Sequence, residues 1–264
     1  MIIDFHTHIF PEKVADKALS KLAGECKLSP FTMGTESSLI ESMKESGVTT
    51  SVVLPVATNP LKCQSMNNWA REINCHQNGL LSFAAIHPDA PNLKQLVKEI
   101  AEAGFKGIKI HPDYQQVFIN DKRFLTIIEE AESFGLVTVT HAGLDYGYLS
   151  EIHCSPYRIL DVVNLIHPKK FVIAHMGGNA LWYDVENTLC GKGLYFDTAF
   201  VHGRISQEQL LRLILLNGAD KILFATDSPW NSQKDDVEFF KNLPLPQNQK
   251  DLIFYENARR LLEL

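Results

Sequence analysis

Short, nearly continuous apolar runs recur along the chain, each following a helix-like stretch and a glycine. The pattern is plain at KESGVTTSVVLPV around Gly47, CHQNGLLSFAAI around Gly79 and AEAGFKGIKI around Gly104, and again at AESFGLVTVTHAG around Gly135 and LLNGADKILFATD around Gly218. Glycine just past a helix takes the left-handed conformation without a side-chain clash, so it ends the helix and turns the chain back. The repeated unit is therefore helix, stop, strand. Unbroken apolar strands suit a parallel sheet covered on both faces. Strands are expected at 2–8, 50–56, 81–86, 107–111, 136–141, 170–175, 194–198 and 222–227. Eight such units predict an α/β fold, a (β/α)8 TIM barrel forming one domain over 1–264. An open doubly wound sheet also alternates β and α, but it more often carries a glycine-rich turn after its first strand, where His6-Thr7-His8 stands.

Entry signals place several helices. Ser155-Pro156 offers an N-cap with a first-turn proline, Thr35 and Ser38 can cap the helix running to Ser46, and Pro91 opens the one ending near Ala103. A last helix over 247–262, carrying Leu252, Ile253, Leu261 and Leu262, is expected to close the flank. Ile9 to Gly34 is the longest segment after any strand and reads as an elaborated first loop over the site.

Composition narrows the function classes. The 264 residues are 45% hydrophobic and 21% charged, enough for a full core, and the net charge of −6 argues against nucleic acid or an anionic membrane as main partner. Five cysteines (Cys26, Cys63, Cys75, Cys154, Cys190), never in a CxxC pair, read as reduced thiols rather than a disulfide framework or a thiolate zinc site. The first strand begins at Met1 with no signal peptide before it, and no apolar run approaches the roughly 18 residues that span a bilayer. A soluble cytoplasmic protein is expected.

Candidate chemistry lies at the strand ends. In MIIDFHTH, strand alternation would put His6 and His8, with Asp4, on one face, where two imidazoles can share a metal ion. Active sites of such barrels form at the C-terminal ends of the strands. Those ends deliver His6 and His8, His87, Lys109 with His111, His141, His175, Asp197 and Asp227. Burying so many polar groups costs free energy unless something compensates, and a central divalent cation does so most simply.

FHTH on the first strand, VTHAG on the fifth, FVIAHMGGNALW on the sixth and ILFATDSPW on the eighth resemble the amidohydrolase superfamily. The similarity is strongest to its amidohydrolase-related (amidohydrolase 2) branch, which also holds aminocarboxymuconate-semialdehyde decarboxylase and similar decarboxylases. The resemblance implies that His6, His8, His141 and Asp227 bind a divalent metal, zinc being favoured, with one ion favoured over two. It makes Asp227 the base that takes a proton from a metal-activated water and returns it to the leaving group. His175 would orient and stabilise developing negative charge. Lys109 and His111, one pleat apart, are expected to face the axis; a bridging carbamate, a second-metal ligand and a plain ammonium meeting a substrate carboxylate all stay open, the last favoured.

Softer candidates surround this set. Trp230 would form a pocket wall, Arg204 would grip a carboxylate, and Tyr114, Tyr146 and Tyr148 would shape the substrate pocket. Asp197 is expected to orient a ligand histidine from behind, and His87 to anchor a loop. Gly177-Gly178 resembles a phosphate turn, which a tight strand-to-helix connection also explains. The leading function is a metal-dependent hydrolase acting on a carbonyl-type bond of a small molecule. Non-oxidative decarboxylation or hydration of a small carboxylic acid on the same site is the alternative, and a non-catalytic metal-binding protein the third. A homo-oligomer is compatible with all three.

Overall fold

The computed structural model describes all 264 residues. β1 (Ile3–Thr7), buried along its whole length, pairs in parallel with β2 (Thr50–Val53), and β2 with β3 (Leu80–Ser82). β4 (Ala84–Ala85) continues β3 past Phe83 and opens a second parallel run. That run continues through β5 (Gly107–Ile110), β6 (Val137–Thr140), β7 (Phe171–Ile173), β8 (Tyr195–Asp197) and β9 (Ile222–Leu223). Backbone bonds join the two runs. Phe83 N donates to Val53 O at 2.9 Å on one side; Phe5 N to Phe224 O at 2.9 Å and Asp227 N to His6 O at 2.8 Å close the other. β3 and β4 therefore act as one stave, and the eight staves form a (β/α)8 TIM barrel as the repeating pattern predicts.

The strand alternation expected for Asp4, His6 and His8 breaks. The β1–β2 register shifts between Asp4 and Thr7. Asp4 stays level with Ser51, and both bind Gln233 of the helix Gln233–Asn242, at 2.7 and 3.1 Å. The bulge thus sends Asp4 to the helix side of the barrel while His6 and His8 face the cavity, because an extra residue re-aims everything after it. Asp4 accepts there from Thr226 Oγ1 (2.6 Å) and Thr226 N (3.0 Å) and ties the first strand to the last.

Outside the staves, helices bury one apolar stripe each. The helix Leu93–Glu102 buries Val97 and Ile100, and Lys122–Ser133 buries Phe124, Ile127, Ile128 and Ala131. Thr35 and Ser38 form a reciprocal capping box, and Ser155 caps the helix that begins at Pro156, as their spacing implies. The glycine stops hold as well: Gly47, Gly79, Gly104, Gly135 and Gly218 all have positive φ. The final helix runs from Gln247 to Leu262 through a π-helical turn at Leu252–Glu256, which seats Ile253 against the barrel with Leu261 and Leu262. Ile9–Gly34 contains more order than the loop expected there: Glu12–Cys26 is a helix. It buries only Ala15 and Leu19, so its sequence carries little apolar periodicity to announce it. No helix is long and apolar enough to cross a membrane, and all five cysteines are unpaired.

Candidate metal centre and active site

The C-terminal mouth of the barrel opens into a cavity of about 620 Å3. His6, His8, Lys109, His111, Tyr114, His141, Tyr146, His175, Asp227 and Trp230 all line it. The helix Glu12–Cys26 roofs one side with Ala18, Lys21, Leu22, Glu25 and Cys26.

Three acceptors converge at the floor. His6 Nδ1 lies 2.8 Å from Asp197 Oδ2, and His8 Nδ1 lies 2.8 Å from Leu54 O. Each neighbour can only accept, so the proton of each ring sits on Nδ1 and the lone pair on Nε2. Those two Nε2 atoms stand 3.1 Å apart, and Asp227 Oδ1 is 3.4 Å from the first and 3.2 Å from the second. No proton separates the three, and only Lys109 Nζ, 3.2 Å from His6 Nε2, offers compensation. Atoms about 2.1 Å from one tetrahedral ion lie about 3.4 Å apart, so the donors present fit a divalent cation. Nitrogen with carboxylate oxygen suits zinc or manganese.

The electrostatics agree. Burial, reinforced by the Lys109 ammonium, holds His6 neutral, its pKa well below the usual imidazole range. Burial likewise pulls Lys109 down to about 8, against the attraction of Asp197 and Asp227. For Asp227 burial works upward, and only positive charge at the surrounding imidazoles brings the carboxyl down, to about 2; with those rings neutral, that positive charge is what a cation would supply. Asp227 and His175 both sit at positive φ, 68° and 59°, conformations that non-glycine residues keep where a site requires them.

Asp197 lies behind His6, on the side away from the cavity. One oxygen binds His6; the other accepts the backbone N–H groups of His175 (2.9 Å) and Ala199 (3.1 Å). His175 Nδ1 faces Ala199 O at 3.0 Å, which fixes its Nε2 as an acceptor, 3.1 Å from His141 Nδ1. His141, which the resemblance makes a ligand beside His6 and His8, lines the same cavity, its ring stacked on His111 at a centroid distance of 4.2 Å and its Nε2 also within reach of Asp145.

Other candidates separate. Tyr114 stacks on His111, its ring 4.3 Å away, and burial raises its phenol pKa further. Trp230 is half-buried at the cavity edge. Arg204 is not among the lining residues: its guanidinium lies over the Phe200 ring and binds His202 O and Asn231 Oδ1. Tyr148 also lies outside the lining and packs on His153. His87 Nδ1 accepts from Asp89 N, the loop anchor expected of it. Gly177 and Gly178 serve the strand-to-helix turn; a Cβ on Gly177 would press into Val185 at 2.7 Å.

Sequence reasoning missed Asp113, Asp145 and the roof helix. Asp145 follows His141 by four residues in a loop, and no periodicity marks a loop carboxylate. Asp113 follows His111-Pro112, where the motif draws the eye to His111.

The family model described as amidohydrolase matches residues 3–264. No protein of curated function matches the sequence. Among solved structures, 5-carboxyvanillate decarboxylase from Sphingomonas paucimobilis superposes with a TM-score of 0.74 at 13% identity, covering 100% of this chain and 99% of that one. A 2,6-dihydroxybenzoate decarboxylase from Rhizobium gives 0.75 at 17% identity, covering 99% and 98%. A dihydroxybenzoic acid decarboxylase from Polaromonas sp., with bound manganese and the inhibitor 2-nitroresorcinol, gives 0.71 at 16% identity, covering 100% and 97%. At these identities the structures bear on the fold alone. The matched model spans nearly the whole barrel, and this chain belongs to the amidohydrolase family.

Proposed function

We propose that this protein is a metal-dependent, non-oxidative decarboxylase of a small aromatic carboxylic acid. The observation that carries the reading is the convergence of three acceptors, His6 Nε2, His8 Nε2 and Asp227 Oδ1, with Lys109 Nζ beside them, at the floor of a cavity walled by Phe10, Trp69, Phe200 and Trp230. Fifteen of its thirty lining residues are hydrophobic, a wall suited to a ring more than to a peptide or sugar. The names borne by the similar structures support the choice of decarboxylation over the hydrolysis that the sequence motifs put first.

His6, His8 and Asp227, joined by His141 whose buried Nε2 has no hydrogen-bond partner, would hold the ion. When bound, it supplies a Lewis acid and charge sink for an oxygen of the substrate. The chain's own residues do the rest. Lys109 Nζ places a second positive group beside the floor and draws the carboxylate inward. The aromatic walls displace water from the ring, and the electrostatic forces at the floor act through a lower dielectric. Losing CO2 leaves an electron pair on the ring carbon, which must gain one proton. Asp227, a carboxylate at rest, is placed at the floor to take that proton from a ring hydroxyl of the substrate and pass it to the carbon, leaving a phenolate that solvent reprotonates. His175 Nε2, fixed by the bond at its other nitrogen, orients the partner it accepts from.

The test is a panel of hydroxybenzoic acids beside lactones, esters and amides, offered to protein loaded with manganese or zinc. CO2 release that falls by at least about a hundredfold in Asp227→Asn is expected. Metal-dependent hydrolysis without CO2 release would restore the hydrolase reading instead.

A further inference from the structure

Two helices at the mouth carry more apolar surface than the barrel itself covers. The roof helix Glu12–Cys26 buries Ala15 and Leu19 against the rest of the chain. A second face of it is apolar too. Ala18, Leu22 and Cys26, spaced by four and so in line along one side, all line the cavity. The helix Cys63–Cys75 repeats the arrangement: it buries Cys63, Asn67, Ala70 and Ile73, while Met66 and Trp69, spaced by three, line the cavity. Leu22, Met66 and Trp69 stay only half-buried, as do Phe10, Leu28 and Val56 of the same lining.

These residues belong to the segments that follow β1 and β2, two staves that pair directly. One sector of the mouth is therefore apolar, whereas the imidazoles, Lys109 and Asp227 stand at the strand ends beneath it. The space is also larger than one ring needs. A dry cavity of about 150 Å3 already holds a benzene molecule. This one measures about 620 Å3, a size that suits drug-sized ligands. A hydroxybenzoic acid seated with its carboxylate at the floor has too few atoms to cover Leu22, Met66 and Trp69 as well. Covering such half-exposed apolar surface is where further binding free energy is gained.

We propose that the substrate is an aromatic acid extended by a neutral apolar group about the size of a second ring, which covers Leu22 of the roof helix and Met66 and Trp69 of the helix Cys63–Cys75. This rests on the proposed function and narrows its substrate class. The extension carries no charge because this sector offers it no buried ionic partner. Lys21 and Glu25, the charged residues the roof helix brings to the lining, are exposed and pair with each other at 3.8 Å.

The experiment measures dissociation constants on manganese-loaded, full-length protein, read from the fluorescence of the acids on rapid mixing, before turnover. The probes are salicylate, the hydroxynaphthoates that add one fused ring to it, and its phenyl-substituted forms. The best extended acid should bind at least about tenfold tighter than salicylate. Leu22→Ala and Trp69→Ala should each bring that ratio below about threefold, because the truncated wall no longer meets the second ring. A general folding defect would weaken both acids alike and leave the ratio intact, so the ratio reports the contact itself. Met66→Ala serves as the further variant should Trp69→Ala fail to fold, and should lower the same ratio. Equal binding of short and extended acids, or a tenfold preference that survives the substitutions, would overturn the proposal. CO2 release from salicylate beside either result would leave the proposed function standing. The expected ratios without CO2 release from any acid would overturn decarboxylation and keep the extended class of ligand.

Discussion

Asp197 and His6 meet through a 2.8 Å bond that sets which nitrogen of His6 faces the cavity. The carboxylate can only accept, so it keeps the His6 proton on Nδ1 and the lone pair on Nε2. Replacing Asp197 by Asn offers an amide that can donate as well, and the ring is no longer forced to present its lone pair. Asp197→Asn should lower metal affinity by about 10- to 100-fold. Competition against a chelating dye measures it, and circular dichroism checks that the barrel is intact.

Asp4 joins the first strand to the last and also accepts the backbone N–H of His6 at 3.2 Å. It accepts from Thr226 N, Thr226 Oγ1 and Gln233 Nε2, all in the dry interior. Asp4→Ala would leave these donors unpaired and should cost about 3 kcal/mol or more, read as a lower urea midpoint. Asp4→Asn keeps one acceptor oxygen and should cost less.

Gly143 lies at φ +83°, where its missing side chain lets the loop after β6 run against the backbone of Asn179. Gly143 N donates to Cys154 O, and Asn179 N to Ala142 O, both at 2.9 Å. A Cβ here would overlap the Asn179 backbone. Gly143→Ala should therefore destabilise the protein by about 3 kcal/mol or more and loosen the loop that carries Asp145. Thermal unfolding would reveal it.

How much of this was legible in the sequence depends on where each residue sits. The eight staves and their glycine stops could be read directly, since buried parallel strands are unbroken apolar runs and Gly47 or Gly135 can turn at positive φ. His6, His8 and Asp227 were legible because strand ends in such a barrel share one mouth. Asp4 was misplaced because a bulge is a matter of register between strands, which one strand's own pattern does not encode. Arg204 looked like a carboxylate grip, but a nearby ring and two acceptors, Asn231 Oδ1 and His202 O, engage it first. The helix Glu12–Cys26 hid because it roofs a cavity instead of burying a stripe.

His202 supplies a pH test outside the metal centre. Its pKa is raised by the hydrogen bond to buried Asp236, 2.8 Å away, against partial burial. A raised histidine stabilises the fold fully below its unfolded value of about 6.5, and this is lost as pH rises through the folded value. The stability gap between wild type and His202→Gln should be larger at about pH 5.5 than at about pH 9. Because the ring is part-exposed, the change should stay under about 1 kcal/mol. Urea titrations at the two pH values would detect it.

The account rests on His6, His8 and Asp227 sharing one cation. The most direct measurement is the affinity of stripped wild-type protein for manganese and zinc, compared with the double variant His6→Ala/His8→Ala checked for native circular dichroism. The account predicts that wild type binds tightly and that the double variant loses this binding by several orders of magnitude. Equal affinity in the folded double variant would contradict it.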